Sequence, residues 1–346
     1  MTYVRPPEQE GALRLHLNEN TAGCSPAVIE AVRRVTAQEV ACYPDYSRLY
    51  RECAEYLGVP ERQIILTNGV DEGLLAAVVA CFRVAHTSPR LPEGIVVQPA
   101  YEMYGICIRA VGGRVVAIPP KPDFEFPLVE LLHALTRDTR LIFLNNPNNP
   151  TGRLIPRDAI RDIARSVPSE VVVLIDEAYY EFCGESFMAE IGRYRNVIIA
   201  RTFAKAHGLA GLRAGCLVGD PERLDPLREV LPPYNLNVFA VAGWRAALRD
   251  REHVAWYQGQ VEESRRLLYD ACNRLGLKCW RSAGNFVLIR VGEDATECAR
   301  KLSARGVLVR SRSGEPGCQN CIRITAGVVE HTRTAIEGLE ALCGAR

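Results

Sequence analysis

The chain has 346 residues, 48% of them hydrophobic, enough for a large core and for either two lobes or one large α/β unit with a smaller one attached. A formal net charge of +1 speaks against nucleic acid or an anionic membrane surface as a main partner. No apolar run approaches a membrane span, and Met1-Thr-Tyr-Val-Arg-Pro-Pro7 lacks the apolar stretch of a secretory signal. The thirteen cysteines, odd in number and scattered, are therefore expected as reduced thiols of a cytoplasmic protein.

Taken in order, Leu15-His-Leu-Asn-Glu-Asn-Thr-Ala-Gly-Cys-Ser-Pro26 is a polar, turn-rich arm. The pattern after it predicts a helix over 26–38, with Ser25 as N-cap and Pro26 in the first turn. A second helical pattern follows Ala41-Cys-Tyr-Pro-Asp-Tyr46 and runs to Leu57. Gln63–Leu66 then reads as a short strand, Gly69 as a tight turn and Leu74–Phe82 as a buried helix. This puts the free N–H groups of Val70 and Asp71 at a helix N-terminus, where backbone donors and the helix dipole favour an anion. The Gly-Lys-Ser/Thr ending of a Walker loop is missing.

Ile95–Gln98 is the next predicted strand and leads into Pro99-Ala-Tyr-Glu-Met-Tyr104; a helix through Val111 and the strand Val115–Ile118 continue a βα alternation. Arg140–Leu144 feeds Asn145-Asn-Pro-Asn-Asn-Pro-Thr-Gly152, whose many polar groups would be hard to match for packing reasons alone. Glu170-Val-Val-Val-Leu-Ile-Asp176 is a strand buried on both faces that runs straight into an acid. A carboxylate there is costly to bury unless it meets a cation. Glu177 is predicted to point to the opposite side.

Val197-Ile-Ile-Ala200 leads to Arg201-Thr-Phe-Ala-Lys-Ala-His-Gly-Leu-Ala-Gly-Leu-Arg213, and Ala214–Val218 leaves it. A lysine at such a strand–loop junction, here Lys205, is placed for its amine to be desolvated and its pKa lowered, as carbonyl chemistry requires. Leu231-Pro-Pro-Tyr-Asn-Leu-Asn237 reads as a hinge, followed by one long helical stretch to about Leu275. From Gly276 onward, strands near Cys279, at Asn285–Arg290, Gly306–Val309 and Cys321–Thr325 alternate with a helix in a small α+β unit. Arg323 sits mid-strand among apolar neighbours and calls for a bidentate carboxylate partner. Cys318 and Cys321 have C-x-x-C spacing, but nothing nearby completes a zinc site, and no metal is expected.

The arm, the Gly-Val-Asp turn, Asn-Asn-Pro-Thr-Gly, Asp-Glu-Ala-Tyr, the lysine loop and the Arg-Ile-Thr strand stand in one order along nearly the whole chain. That ordered set resembles the fold-type I pyridoxal-phosphate (PLP) aminotransferases, and within them the histidinol-phosphate type. The resemblance implies an α/β fold with a mostly parallel seven-stranded sheet in a large PLP-binding domain, residues 26–235. An N-terminal arm over 1–25 and a smaller α+β C-terminal domain over 236–346 complete it. It further implies a homodimer with active sites at the interface, and small-molecule partners only: an amino donor and a 2-oxo acid acceptor.

By the same resemblance Lys205 carries the cofactor covalently and moves the substrate proton, and Asp176 keeps the pyridine nitrogen protonated. Tyr101 stacks on the ring, Asn149 and Tyr179 hold its phenolic oxygen, and Val70, Asp71, Thr202 and Arg213 hold its phosphate. Tyr43 reaches the phosphate of the neighbouring subunit's cofactor. Arg323 binds the substrate α-carboxylate alongside Asn149, and Arg310 helps bind a substrate phosphate. The sequence departs from the family at Ala204, where serine is usual, and at Thr21, where proline is usual. It also lacks the Tyr-x-Pro-Gly lead-in. Transamination of histidinol phosphate is the favoured activity, with an aromatic amino acid or a threonine-phosphate-type decarboxylation as alternatives. A non-catalytic PLP-binding regulator is disfavoured, because no basic patch and no added DNA-binding segment are seen.

Overall fold

The computed structural model describes residues 9–83, 90–292 and 294–343, so the first eight residues of the arm lie outside the described residues. The rest of the arm is anchored at its start by β1 (Leu13–Arg14), which pairs in parallel with Val307–Leu308. Backbone bonds extend this pairing: Leu15 N–H donates to Leu308 O (2.9 Å), and Thr325 N–H donates to Leu15 O (2.9 Å). Leu15 is fully buried.

Seven strands make the main sheet: β2 (Ile64–Asn68), β3 (Glu93–Val97), β4 (Arg114–Ile118), β5 (Thr139–Asn145), β6 (Val172–Asp176), β7 (Val197–Thr202) and β8 (Ala214–Gly219). Their order is β2-β8-β7-β6-β5-β3-β4. Only β8 runs against the others, pairing antiparallel with both β7 and β2. The mostly parallel seven-stranded sheet expected from the sequence is therefore present. Strands β5 to β8 are buried almost throughout, as an unbroken apolar run requires when helices cover both faces. Alternation divides them cleanly. Ile142, Leu144, Val173, Ile175 and Ile199 face one core, whereas Leu141, Phe143, Leu174 and Ile198 face another.

The helix Pro26–Arg33 is capped as predicted, with Ser25 Oγ accepting from Ala27 N–H (3.1 Å). It stops before residue 38, because Thr36 and Glu39 form a capping box that starts a new turn, Ala37–Val40. The single long helix expected after the hinge is likewise two, Val238–Arg249 and Arg251–Arg274. Asp250 breaks it at φ −90°, ψ 70°, and its carboxylate accepts from His253 N–H (3.1 Å) to cap the second helix. The first of the two buries Trp244 in the core of the main sheet, and the second packs Val254, Tyr257 and Leu268 into a separate core.

That second core belongs to a four-stranded antiparallel sheet. It comprises β9 (Lys278–Cys279), β10 (Phe286–Arg290), β12 (Arg310–Ser311) and β13 (Cys321–Thr325) in the order β12-β13-β10-β9. Between these in the chain lies β11 (Val307–Leu308), the partner of β1. Arg323 lies at the centre of β13, opposite Leu288 on one side and Arg310 on the other. Among the described residues no helix is long and apolar enough to cross a membrane.

Candidate active site

The carboxyl ends of β2, β3, β5, β6 and β7 converge, together with the start of β8, on one cavity. Such an edge is where open α/β sheets bind ligands, because the loops there leave a crevice at the point where strand order reverses. The cavity encloses about 200 Å³. Val70, Asp71, Tyr101, Asn149, Asp176, Tyr179, Thr202, Lys205 and Arg213 line it from the large sheet, and Arg310, Arg312 and Arg323 line it from the small one. His16, Leu17, Asn18 and Glu19 of the arm close it.

Lys205 Nζ donates to Leu17 O (3.1 Å) and lies 5.9 Å from the centre of the Tyr179 ring. Burial, with Arg323 next in effect, lowers its pKa from 10.5 to about 8. The amine is thus closer to its neutral, nucleophilic form at neutral pH than a solvated lysine is.

Asp176 ends β6 and is buried. Its Oδ2 accepts from the Tyr104 hydroxyl (2.7 Å) and its Oδ1 from Ala178 N–H (3.1 Å). Burial outweighs both donors and raises its pKa from 3.8 to about 6. The Lys205 charge acts on it weakly and in the lowering direction, but among the described residues no lysine or arginine is close enough to form an ion pair with it. Glu177 takes the other side as predicted: it binds Arg201 Nε (2.9 Å), Ser186 Oγ (2.7 Å) and Phe187 N–H (2.7 Å), away from the cavity.

Tyr104 was not singled out by sequence reasoning. It is fully buried and stacks on Phe143, with centroids 4.6 Å apart and planes at 11°. The available signal was its position three residues after Tyr101 at the start of a helix, which puts both rings on one face.

Asp71 Oδ1 accepts from Tyr101 OH (2.9 Å), and Oδ2 pairs with Arg213 Nη2 (3.0 Å). These residues surround the N-terminus of the helix Val70–Arg83, whose leading N–H groups have no helical partner. Gly69 makes the approach possible. Its φ is +75°, and a Cβ there would overlap the Arg213 guanidinium. Thr202 Oγ1 sits beside this cradle and accepts from Ala204 N–H (3.2 Å). The arrangement is an anion cradle with a lysine and a buried acid farther along the same cavity.

Asn149 is fixed from both lobes: its N–H donates to Asn145 Oδ1 (2.7 Å), and its Oδ1 accepts from Arg323 Nη1 (2.6 Å). Arg323 Nη2 donates to His16 O (2.6 Å), and the Phe286 ring lies 5.6 Å from the guanidinium carbon. Burial, then the Arg312 charge, lowers the Arg323 pKa to about 10. Arg312 itself pairs with Glu102 (3.2 Å) and with Glu315. The Tyr179 hydroxyl accepts from Asn18 Nδ2 of the arm (3.0 Å).

Tyr43 is the one predicted site residue that the single chain does not bring to the cavity. It is 77% exposed and stacks on Tyr234, with centroids 4.2 Å apart. The arm residues His16 to Glu19 were legible only as part of a segment lying over the site. Among the described residues no three metal-binding side chains cluster.

Residues 10–339 match the family described as aminotransferase class I and II. Histidinol-phosphate aminotransferase 1 of Cupriavidus pinatubonensis is 36% identical, over 96% of this chain and 89% of its own length. Histidinol-phosphate aminotransferase of Symbiobacterium thermophilum is 37% identical, over 96% and 91%. Among solved structures, histidinol-phosphate aminotransferase from Sinorhizobium meliloti in complex with pyridoxal-5′-phosphate superposes with a TM-score of 0.83 at 28% identity, covering 96% of this chain and 92% of that one. The enzyme of the same name from Clostridium acetobutylicum gives 0.87 at 21% identity, over 96% and 99%, a likeness of fold.

Proposed function

The chain belongs to the aminotransferase class I and II family and is a PLP-dependent aminotransferase, and we propose that its amino donor is histidinol phosphate and its acceptor a 2-oxo acid such as 2-oxoglutarate. One observation carries the choice of donor: Arg310, Arg312 and Arg323 line the same cavity as Lys205. Arg312 is matched by Glu102 and Glu315, and the guanidiniums of Arg310 and Arg323 suit a substrate that carries a phosphate better than one whose ends are a carboxylate and a hydrocarbon ring.

The residues fit the cofactor. The unpaired buried carboxylate of Asp176 suits a protonated pyridine nitrogen, and the helix N-terminus at Val70, with Thr202 and Arg213, suits a phosphate. When bound, PLP supplies the electron sink that makes the substrate Cα–H acidic. In this reading Lys205 would hold the cofactor, and its Nζ would take the proton from the donor's Cα. Asp176, oriented by Tyr104, keeps the ring nitrogen charged. Asn149 and Tyr179 would position the ring's phenolic oxygen, Tyr101 would cover its face, and Arg323 and Arg310 would bind the donor, Arg310 at its phosphate.

We further place the enzyme in the cytoplasm as a homodimer in which Tyr43 reaches the partner's cofactor phosphate. The exposed, stacked pair Tyr43 and Tyr234 supports such an interface. The sequence sets the division between the two lobes at 235/236; because the helix Val238–Arg249 packs Trp244 and Leu248 into the core of the main sheet, we propose to move it to near Asp250.

The test is a competition between histidinol phosphate and phenylalanine, scored by kcat/KM in the wild type and in Arg310→Ala. A preference for histidinol phosphate that Arg310→Ala erodes is the expected result. A preference for phenylalanine that survives Arg310→Ala removes the phosphate reading and leaves the aminotransferase assignment standing. Loss of carbon dioxide from the donor in place of a keto product would mark a decarboxylase.

A further inference from the structure

Arg312 lines the cavity, yet its charge is already matched. It is 4% exposed, its Nη1 donates to Glu102 Oε1 (3.2 Å), and it pairs with Glu315 in the loop that follows it. Glu315 belongs to the small lobe and Glu102 to the large one, so the guanidinium bridges the two. Lys278 and Asp123 also pair between the lobes, but both are at least half exposed, where an ion pair contributes little. A charge as deeply buried as that of Arg312 depends on its acids, and the loss of one is felt.

The backbone at either end shows what this bridge holds. Arg312 directly follows β12 (Arg310–Ser311), a two-residue strand at the edge of the small sheet, and its N–H extends the pairing by donating to Cys321 O (2.8 Å). Extended backbone sends alternate side chains to opposite faces. Ser311 Oγ meets Thr296 Oγ1 (3.1 Å) on one face, and Arg310 and Arg312 line the cavity together on the other. So short an edge strand has little pairing to hold it, whereas Arg323 on β13 is tied separately to Asn149 and to His16 O. At the other end, Glu102 opens the helix Glu102–Ala110 next to Tyr101, whose hydroxyl donates to Asp71 in the anion cradle. Tyr104 in the same turn reaches Asp176. The bridge thus joins the strand of Arg310 to a helix whose first turn serves both the cradle and the buried acid.

We propose that Arg312 is a positioning residue: without touching the donor, it holds Arg310, through its ion pair with Glu102, at the reach that a phosphate-bearing donor spans. This rests on the donor proposed above and adds the contact that fixes where its phosphate is met. Charge alone predicts the opposite outcome when Glu102 is removed. Glu102 also lines the cavity, so deleting its carboxylate would strengthen the attraction for an anionic donor. Where that carboxylate holds the bridge, the same deletion weakens binding.

The experiment follows the half-reaction of the PLP-loaded enzyme by stopped flow, with histidinol phosphate and with phenylalanine, and reads the saturation constant and the limiting rate separately. Glu102→Ala should raise the histidinol-phosphate constant about fivefold to tenfold, the size of one charged contact, and leave the limiting rate within about twofold. The phenylalanine constant should stay within about twofold, because Arg323, which would meet its carboxylate, is tied elsewhere. Glu102→Gln, which keeps an oxygen for Arg312, should recover most of the loss. On an Arg310→Ala background Glu102→Ala should add less than about twofold, which a general loosening of the fold would not reproduce. An unchanged or tighter histidinol-phosphate constant in Glu102→Ala, an equal loss for phenylalanine, no recovery in Glu102→Gln, or a full loss on the Arg310→Ala background overturns the proposal. Failure of the donor assignment shows separately, in the wild type alone, as a preference for phenylalanine; the variants are compared with histidinol phosphate as ligand in the same way in either case.

Discussion

Replacing Asp176 by asparagine should make the cofactor-free protein more stable and the loaded enzyme nearly inert. The carboxyl is buried, and its pKa in the fold is about 6 against an ordinary 3.8, chiefly through loss of solvation. An acid whose pKa is raised by folding leaves stability intact below the unfolded value, and stability falls as pH rises through the folded one. The gap of about two pH units corresponds to roughly 3 kcal/mol of lost stability at pH 7, with the loss building between about pH 4 and pH 6. Asparagine is nearly isosteric. Its oxygen can still accept from Ala178 N–H, and its amide can donate to the Tyr104 hydroxyl, which thereby loses the acceptor it has now and offsets part of the gain. Denaturant unfolding of the stripped protein should therefore favour Asp176→Asn by a few kcal/mol at pH 7, and the advantage should fade towards pH 4. In the loaded enzyme the same change should lower kcat by several powers of ten, about 4 kcal/mol or more. A stripped Asp176→Asn protein that is weaker than wild type at pH 7, or a loaded one with nearly normal kcat, would refute the reasoning.

Lys205, with its amine pKa near 8, should capture PLP about tenfold faster for each pH unit up to roughly that value and then level off. Stopped-flow absorbance on stripped protein reads this, Lys205→Ala should leave no borohydride-fixed cofactor, and a flat profile between pH 6 and 9 would contradict the burial argument. Tyr104→Phe should keep the stack on Phe143 but remove one donor to Asp176, worth about 1.5–3 kcal/mol. The acid limb of the kcat/KM profile should then move up by about one pH unit or more, and an unmoved limb would mean the hydroxyl is not felt. Arg323→Ala should raise KM for every α-amino acid by roughly tenfold to a hundredfold at unchanged PLP content. Loss of PLP instead would mean that the arginine serves the cofactor.

The parts of this site that could be read from the sequence share a physical reason. A strand covered on both faces must be apolar until it reaches the sheet edge, so the first polar residues after such a run mark the cavity. Asp176 stands at such a run end, and Asn149 and Lys205 lie in the loops that follow two others, where the family resemblance singles them out; the cavity gathers all three. What the sequence concealed depends on contacts between distant segments. Tyr104 acquires meaning only when its helix folds back over Phe143 and reaches Asp176. The two-residue strands β1 and β12 are too short for any alternation to register. The break at Asp250 interrupts a pattern whose helical period continues on both sides, so only the capping aspartate could have betrayed it.

The docking of β1 on β11 also bears on how the protein is made. Asn18 N–H donates to Thr325 Oγ1 across 307 positions, and Leu13 and Leu15 take their backbone partners from residues 306 and 308. Closing loops of that length is slow relative to pairing strands that follow one another in the chain, such as β5 with β6, β6 with β7 and β7 with β8. As the polypeptide leaves the ribosome, the main sheet can assemble with its lysine and aspartate in place while the wall carrying His16, Leu17 and Asn18 still lacks the strands that hold it. The cavity is thus the last part of the molecule to become whole, and a chain cut short before Thr325 would have the chemistry of the site without its enclosure.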